Sequence, residues 1–188
     1  FPAEALAVAL RGRGLRVALA TDDRAGGLAH AFPADEVVAV ASATPSGRSA
    51  PQVAKAALVL AGGLLQALGA IRRLRPATVV GFGGYPTVPP VLAASLLRVP
   101  TVIHEQNAVL GRANRFLAGR VSGIATGFAN VKGVPAGAPR PVHTGNPLRP
   151  AVIAAAATPF PSLDGPLRLL AFGGSQGARV MSEVVPAG

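Results

Sequence analysis

The chain has 188 residues, of which 50% are hydrophobic and 14% are charged. This composition excludes a disordered chain, and the absence of cysteine excludes both a disulfide scaffold and a cysteine-based metal site. The net charge of +10 favours anionic partners such as nucleotides or phospholipid headgroups, whereas an aromatic content of 4% offers few stacking surfaces, so no nucleic-acid partner is predicted.

In chain order, the sequence alternates between helix and strand patterns. The predicted helices cover 2–11, 52–74, 86–97 and 110–118, and the predicted strands cover 15–20, 36–41, 78–82, 101–104, 121–126 and 167–172. Continuous apolar strands separated by helices are typical of a parallel sheet that is covered on both faces. The predicted fold class is therefore α/β.

The ends of the chain and its proline content suggest its domain organisation. The first predicted element is a helix with no strand before it, and the last segment only begins a new strand–helix pair, so we expect a fragment. Four prolines follow Asn146 before position 162, as in an interdomain connector. We predict a first domain at 1–145 that lacks its first strand and loop, a linker at 146–165, and the truncated start of a second domain at 166–188.

Two glycine-rich turns follow predicted strands. Such turns let backbone N–H groups approach a phosphate, although a tight turn that needs positive φ explains them equally well. Neither turn is a Walker A loop, and both fit the dinucleotide fingerprint poorly. The candidate diphosphate-binding residues are Gly83 and Gly84 in the first turn, and Gly173, Gly174, Gln176 and Gly177 in the second.

Four consecutive polar residues, His104 to Asn107, end the strand predicted at 101–104. Ligands bind at the carboxyl ends of strands in such sheets, and amide side chains suit sugar hydroxyls. His104 and Glu105 are candidates for proton transfer. The alternative is structural: Glu105 caps the next helix or pairs with one of its arginines, and His104 is a buried, hydrogen-bonded histidine.

Arg149 lies at the predicted domain junction, where it either reaches a diphosphate in a bidentate way or is a surface arginine of the linker. The three histidines are scattered, and the sequence has no Asp-x-Asp triplet to hold a cation on a nucleotide diphosphate. No metal site and no cofactor are predicted.

In combination, these segments resemble glycosyltransferase family 28, and within it the MurG-type enzymes of bacterial peptidoglycan synthesis. Each motif alone is weak, but their order and spacing over the whole chain are specific. The segments that carry the resemblance are 1–9, 81–86, 104–107 with Gly111, Asn114 and Arg115, then 145–149 and 173–179.

The resemblance implies a fold of the GT-B type, with two Rossmann-like domains facing across a cleft. It implies inverting transfer of N-acetylglucosamine from UDP-N-acetylglucosamine to the undecaprenyl-pyrophosphoryl-muramoyl pentapeptide, at the cytoplasmic face of the inner membrane. Asn107, Arg149 and Ser175 would contact the donor, and the glycine turns would face the diphosphates. The general base is left open between His104, Glu105 and a histidine absent from this chain, and we expect the fragment by itself to be inactive.

The same resemblance requires an enzyme that docks on the membrane holding its lipid acceptor. The helix over 56–74 ends in Arg72, Arg73 and Arg75, so it is either an apolar face with a basic rim or an ordinary core helix. Its apolar stretch, 56–71, contains three glycines and is short for a membrane span, so none is predicted. Two rival functions are a nicotinamide-dependent oxidoreductase and a non-catalytic basic module that binds anionic membrane.

Overall fold

A computed structural model describes residues 1–22, 31–43, 50–159 and 165. The chain divides into two compact units, Phe1–Ile153 and Ala154–Gly188. Within the second unit only 154–159 and Gly165 are described, so the strand predicted at 167–172 lies outside the described residues. The domain limits at 145 and 165 stay predictions.

Five α-helices occur in the described ranges. Proline occupies the first turn of the first and third of them, where its missing N–H costs nothing, and basic side chains end the second, as the helix dipole favours. The helices are α1 (Pro2–Arg11), α2 (Ala50–Leu74), α3 (Val88–Leu96), α4 (Arg112–Leu117) and α5 (Pro150–Ala156), with 3-10 turns at Tyr85–Thr87 and Ala118–Arg120.

The described strands form two parallel sheets. One has the order β1-β2, and the other has the order β3-β4-β5-β6. In the larger sheet Val79 pairs with Thr101 and Ile103 with Ile124, so the carboxyl ends of its strands lie at one edge. The strands are β1 (Ala18–Thr21), β2 (Glu36–Ala39), β3 (Val79–Gly81), β4 (Thr101–Glu105), β5 (Gly123–Thr126) and β6 (Val142–His143).

Apart from shifted element boundaries, the described structure has three features that the sequence did not predict. The described strands form two sheets instead of one, and residues of both β1 and β3 line a cavity of about 550 Å³. Strand β6 was not expected, since two residues are too few to show a pattern. Helix α5 lies in the proline-rich connector, where Pro150 suits the first position of a helix.

Helix α3 connects two clusters of buried side chains. Its Val91 packs with Ile103 and Leu117 beneath the larger sheet, and its Ala93 packs with Ile71 of α2. Ile103 is fully buried, which is worth about 1.5–3 kcal/mol for a side chain of this size. This packing holds the ends of β3 and β4 in a fixed position.

Helix α2 has the length and composition of a membrane span. Over Pro51–Leu74 an 18-residue window reaches a mean hydropathy of 1.7, and 22% of that window is buried. The sequence analysis predicted no membrane span because the apolar stretch 56–71 is short. The helix itself runs over Ala50–Leu74, so its length does not support that prediction. A stripe of four buried residues nevertheless assigns one face to the core: Ala56, Gly63, Ala67 and Ile71.

Candidate functional site

A cavity of about 250 Å³ opens at the carboxyl ends of β3 and β4. The register pairs Gly81 with Ile103, so the turn after β3 and the polar residues after β4 meet at the same edge. The structure thereby brings together Gly83, Gly84, Glu105 and Asn107, all of which line the cavity.

The turn after β3 depends on its two glycines. Gly83 and Gly84 have φ values of 79° and 74°, in the left-handed region that other residues rarely adopt. Thr87 closes the turn by donating its hydroxyl hydrogen to the Gly83 carbonyl at 2.6 Å. A Cβ at position 83 would also lie 3.3 Å from Nδ2 of Asn114, so both the backbone angle and this close approach favour glycine there.

Glu105 is a buried carboxylate that accepts four hydrogen bonds. Oε1 accepts from the backbone N–H and the side-chain amide of Asn107, at 3.1 and 2.9 Å. Oε2 accepts from the Gly111 N–H at 2.8 Å and from Nδ2 of Asn114 at 2.9 Å. Because Gly111 directly precedes α4, the capping alternative raised from the sequence describes this contact, and the partners of Glu105 among the described residues are amides.

The pKa of Glu105 follows from this environment. Burial raises the pKa, but the hydrogen bonds from Gly111, Asn114 and Asn107 outweigh it, so the pKa lies below the ordinary value of 4.5. Glu105 is therefore ionised at neutral pH, and its oxygens are already occupied by donors. This geometry fits a role for Glu105 in ordering the loop after β4. It fits a role in taking up a proton less well.

His104 is buried, and both of its ring nitrogens are hydrogen-bonded. Nε2 lies 3.0 Å from the Gly145 carbonyl oxygen, and Nδ1 lies 3.0 Å from the side-chain nitrogen of Gln106. The ring of Phe82 lies 5.6 Å away, centre to centre. The structure thus contains the buried, hydrogen-bonded histidine that the sequence left as one alternative.

Asn114 is the site residue whose role the sequence analysis missed. Its Nδ2 donates to Glu105 and to the His104 carbonyl oxygen, which fixes the orientation of the amide. Its Oδ1 is buried and has no hydrogen-bond partner within the described part of the chain. A buried acceptor without a donor is costly, so this atom marks a place where a ligand or water hydrogen bond fits. The available signal was that Asn114 is among the residues that carry the family resemblance.

The residues predicted to contact the sugar donor are not all at this cavity. Asn107 is exposed at the cavity, whereas Arg149 does not line it and places its guanidinium 4.1 Å from the centre of the Phe1 ring. Ser175 and the second glycine turn (Gly173, Gly174, Gln176 and Gly177) lie outside the described residues. Over 1–22, 31–43 and 50–159, no group of three or more His, Asp or Glu is arranged to hold a metal ion.

A scan against family models matches residues 1–126 to the N-terminal domain of glycosyltransferase family 28. The chain belongs to glycosyltransferase family 28. This membership agrees with the resemblance drawn from its motifs, and the comparisons give no support to the oxidoreductase or the non-catalytic module.

Curated relatives of this chain share one protein name. A protein of Methylorubrum extorquens (strain PA1), 67% identical over 190 residues, is a UDP-N-acetylglucosamine--N-acetylmuramyl-(pentapeptide) pyrophosphoryl-undecaprenol N-acetylglucosamine transferase. A Rhodopseudomonas palustris (strain BisB18) protein of the same name is 56% identical over 189 residues. The matches cover 100% and 99% of this chain but 52% and 50% of the relatives, so the chain spans about half of their length.

A solved family 28 structure shares the fold. The crystal structure of Acinetobacter baumannii MurG matches with a TM-score of 0.69 and 29% identity, over 100% of this chain and 50% of that one. The predicted α/β fold of the GT-B type is confirmed by this likeness, together with the parallel sheets and their helices.

Proposed function

We propose that this chain forms the acceptor-binding half of an inverting glycosyltransferase. The enzyme moves N-acetylglucosamine from UDP-N-acetylglucosamine to the undecaprenyl-pyrophosphoryl-muramoyl pentapeptide. The single observation that carries the proposal is the cavity at the ends of β3 and β4, where a double-glycine turn faces a polar loop and a buried Oδ1 of Asn114 that has no donor among the described residues. In a family 28 chain whose relatives carry this activity in their names, that cavity suits a sugar or diphosphate.

In the proposed reaction the bond between the anomeric carbon and the UDP oxygen breaks. A bond forms from that carbon to the 4-hydroxyl oxygen of the muramoyl sugar, whose proton passes to the general base, and UDP leaves with the electron pair of the broken bond. Asn107 and Arg149 contact the donor, together with Ser175, and the glycine turns face the diphosphates. Since Glu105 and both nitrogens of His104 are already hydrogen-bonded, the geometry favours neither of them as the general base.

A chimera tests this function. The matching 190 residues of the Methylorubrum extorquens relative are replaced by this chain, and transfer of labelled N-acetylglucosamine to a lipid-linked muramoyl pentapeptide is measured. We expect transfer by the chimera, and a loss of about tenfold or more in Asn107→Ala. Asn130→Ala, the same change at an exposed asparagine away from the cavity, is the control. A folded chimera with no transfer would contradict the proposal.

We propose further that the chain docks on the anionic cytoplasmic face of the inner membrane through α2. Leu58 and Leu65, two turns apart, are 74% and 71% exposed, and Arg72 follows at the same helical spacing. Arg73 has a different role, because its guanidinium forms an ion pair with Glu36. The exposed apolar face and its basic end support adsorption to a membrane surface.

Vesicle co-sedimentation tests the docking. We expect the double variant Leu58→Glu with Leu65→Glu to lose binding to vesicles of phosphatidylglycerol and phosphatidylcholine. Leu96→Glu changes a 61% exposed leucine at the end of α3 and is the matched control. If the double variant sediments as well as the control does, α2 is an ordinary core helix and the proposal is wrong.

A further inference from the structure

The imidazole of His104 makes a contact that joins the end of β4 to the segment after β6. The side chain is 4% exposed at the carboxyl end of β4, and its Nε2 lies 3.0 Å from the carbonyl oxygen of Gly145, 41 residues later. Gly145 follows β6 with a φ of 74°, so the chain turns sharply at the point of contact. Arg149 lies four residues beyond this turn.

The hydrogen bonds around His104 determine which nitrogen carries the proton. A carbonyl oxygen only accepts, so Nε2 must carry the hydrogen that points to Gly145. The side-chain nitrogen of Gln106 is a donor, because it donates an N–H to the His104 carbonyl oxygen at 2.8 Å. The same nitrogen lies 3.0 Å from Nδ1 of His104. Nδ1 is therefore the acceptor, and the ring is the neutral Nε2–H tautomer.

Two more contacts hold the segment that follows β6. The backbone N–H of Thr144 donates to the Thr126 carbonyl oxygen at 3.0 Å, and Nδ2 of Asn146 lies 3.5 Å from the Gln106 carbonyl oxygen. The Asn146 side chain also packs directly on Gly127, at the end of β5. His104 thus supplies a buried side-chain contact in a set that fastens 144–146 to the strand ends.

We propose that His104 is a positioning residue that fastens the 144–146 segment to the end of β4 through its Nε2–H and thereby fixes Arg149 for the sugar donor. This inference rests on the proposed function for its second half only, because the fastening contact exists without a substrate. It assigns His104 a different task from general-base catalysis, in which Nδ1 or Nε2 would have to accept the acceptor's proton.

Two substitutions at position 104 separate the two roles. In His104→Gln the amide nitrogen is as many bonds from Cβ as Nε2 is, so it still reaches Gly145, yet an amide cannot act as a base. In His104→Asn the amide nitrogen takes the place of Nδ1 and falls short of Gly145. In the chimera we expect kcat/KM for UDP-N-acetylglucosamine to stay within about threefold in His104→Gln and to fall about 10- to 100-fold in His104→Asn, the scale expected for a misplaced binding group.

A double-mutant cycle tests whether the effect passes through Arg149. If His104 acts by placing Arg149, His104→Asn lowers kcat/KM much less when Arg149→Ala is already present. Additive losses, or a loss in His104→Gln as large as in His104→Asn, would overturn the inference. Thermal midpoints of both variants show whether a loss reflects unfolding.

Two measurements on the 188-residue chain need no activity. Imidazole ¹⁵N shifts should show Nε2 protonated and Nδ1 unprotonated in the resonance that His104→Gln removes; the opposite tautomer would refute the contact. Amide exchange over 144–149 should speed up in His104→Asn and not in His104→Gln, and equal exchange in both would also refute it. A chimera without transfer, combined with the expected tautomer and exchange, would reject the proposed function and leave the fastening role intact.

Discussion

At the scale of single residues, Glu105 shows how burial and hydrogen bonding compete. Burying a carboxylate disfavours its charged form, which raises the pKa. Hydrogen-bond donors on both oxygens stabilise the charged form by more than burial destabilises it, so the pKa falls below 4.5. A depressed pKa means that the ionised carboxylate stabilises the folded state above pH 4.5, the value for the unfolded chain. That stabilisation is lost as the pH falls through the lower, folded value.

Glu105→Gln tests this balance. At pH 7 we expect the free energy of unfolding to drop by about 2–4 kcal/mol, because the new NH₂ group faces donors that have lost their acceptor. Below pH 4.5 the gap between wild type and variant should narrow, as measured by urea unfolding at several pH values. Asp35 and Glu36 also have lowered pKa values but occur in both proteins, so the difference isolates Glu105.

Glu4→Gln, the same chemical change in the first turn of α1, is the control for that experiment. A gap between wild type and Glu105→Gln that stays constant from pH 7 to pH 3 would contradict the assigned hydrogen bonds.

The sequence predicted the position of these residues better than their partners. The four polar residues after an apolar strand placed Glu105 and Asn107 at a strand end, and both line the cavity. The partners of His104 and Glu105 could not be predicted, because Gly145 and Asn114 meet them only through the sheet register and the packing of α4. The structural alternatives weighed for these two residues are the ones that the hydrogen bonds fit.

At the scale of elements, α2 packs closely on Ala41 and Pro89 at a single glycine, Gly63. A Cβ at Gly63 would overlap the Ala41 carbonyl oxygen and lie 3.3 Å from Pro89, whereas a Cβ at Gly62 would meet nothing within 4 Å. Adjacent residues of one helix therefore differ in what they tolerate. Helix propensity alone treats them as equal, since alanine exceeds glycine by about 0.8–1 kcal/mol at either position.

We expect Gly63→Ala to destabilise the chain by about 1–3 kcal/mol, because the backbone oxygen of Ala41 cannot move aside without displacing the end of β2. Gly62→Ala should stabilise it by up to about 1 kcal/mol. Denaturant unfolding of both variants measures the difference. Equal effects of the two substitutions would show that α2 does not pack on the Ala41 backbone through Gly63.

Element boundaries followed the strength of their sequence signals. Helix α1 occupies the predicted range, and the predicted start of α2 at 52 is two residues late. The helix predicted at 86–97 is a 3-10 turn followed by α3, because the three prolines within 86–90 remove the N–H groups that an earlier α-helical start requires. Strand β6 pairs with β5, and no local sequence pattern encodes that pairing.

At the scale of the whole molecule, the charge of +10 and the exposed face of α2 make separate contributions to membrane binding. We expect binding to anionic vesicles to weaken as salt rises from 50 to 500 mM, since screening shortens the reach of the net charge from above about 10 Å to below it. Binding to phosphatidylcholine vesicles should be weak at every salt concentration. Salt-independent sedimentation on anionic vesicles would contradict this division.

The close contact between Gly127 and Asn146 limits which residues position 127 can accept. It is absent from the glycines with positive φ, so its backbone does not require glycine, yet any Cβ would overlap the side chain of Asn146. A library randomised at 127 and 128 and selected for a working enzyme should be enriched in glycine at the first position, because a Cβ there displaces the Asn146 side chain, and should return many residues at the second, where Phe128 is 48% exposed. Tolerance at 127 should widen only in clones that have also exchanged Asn146 for a smaller residue.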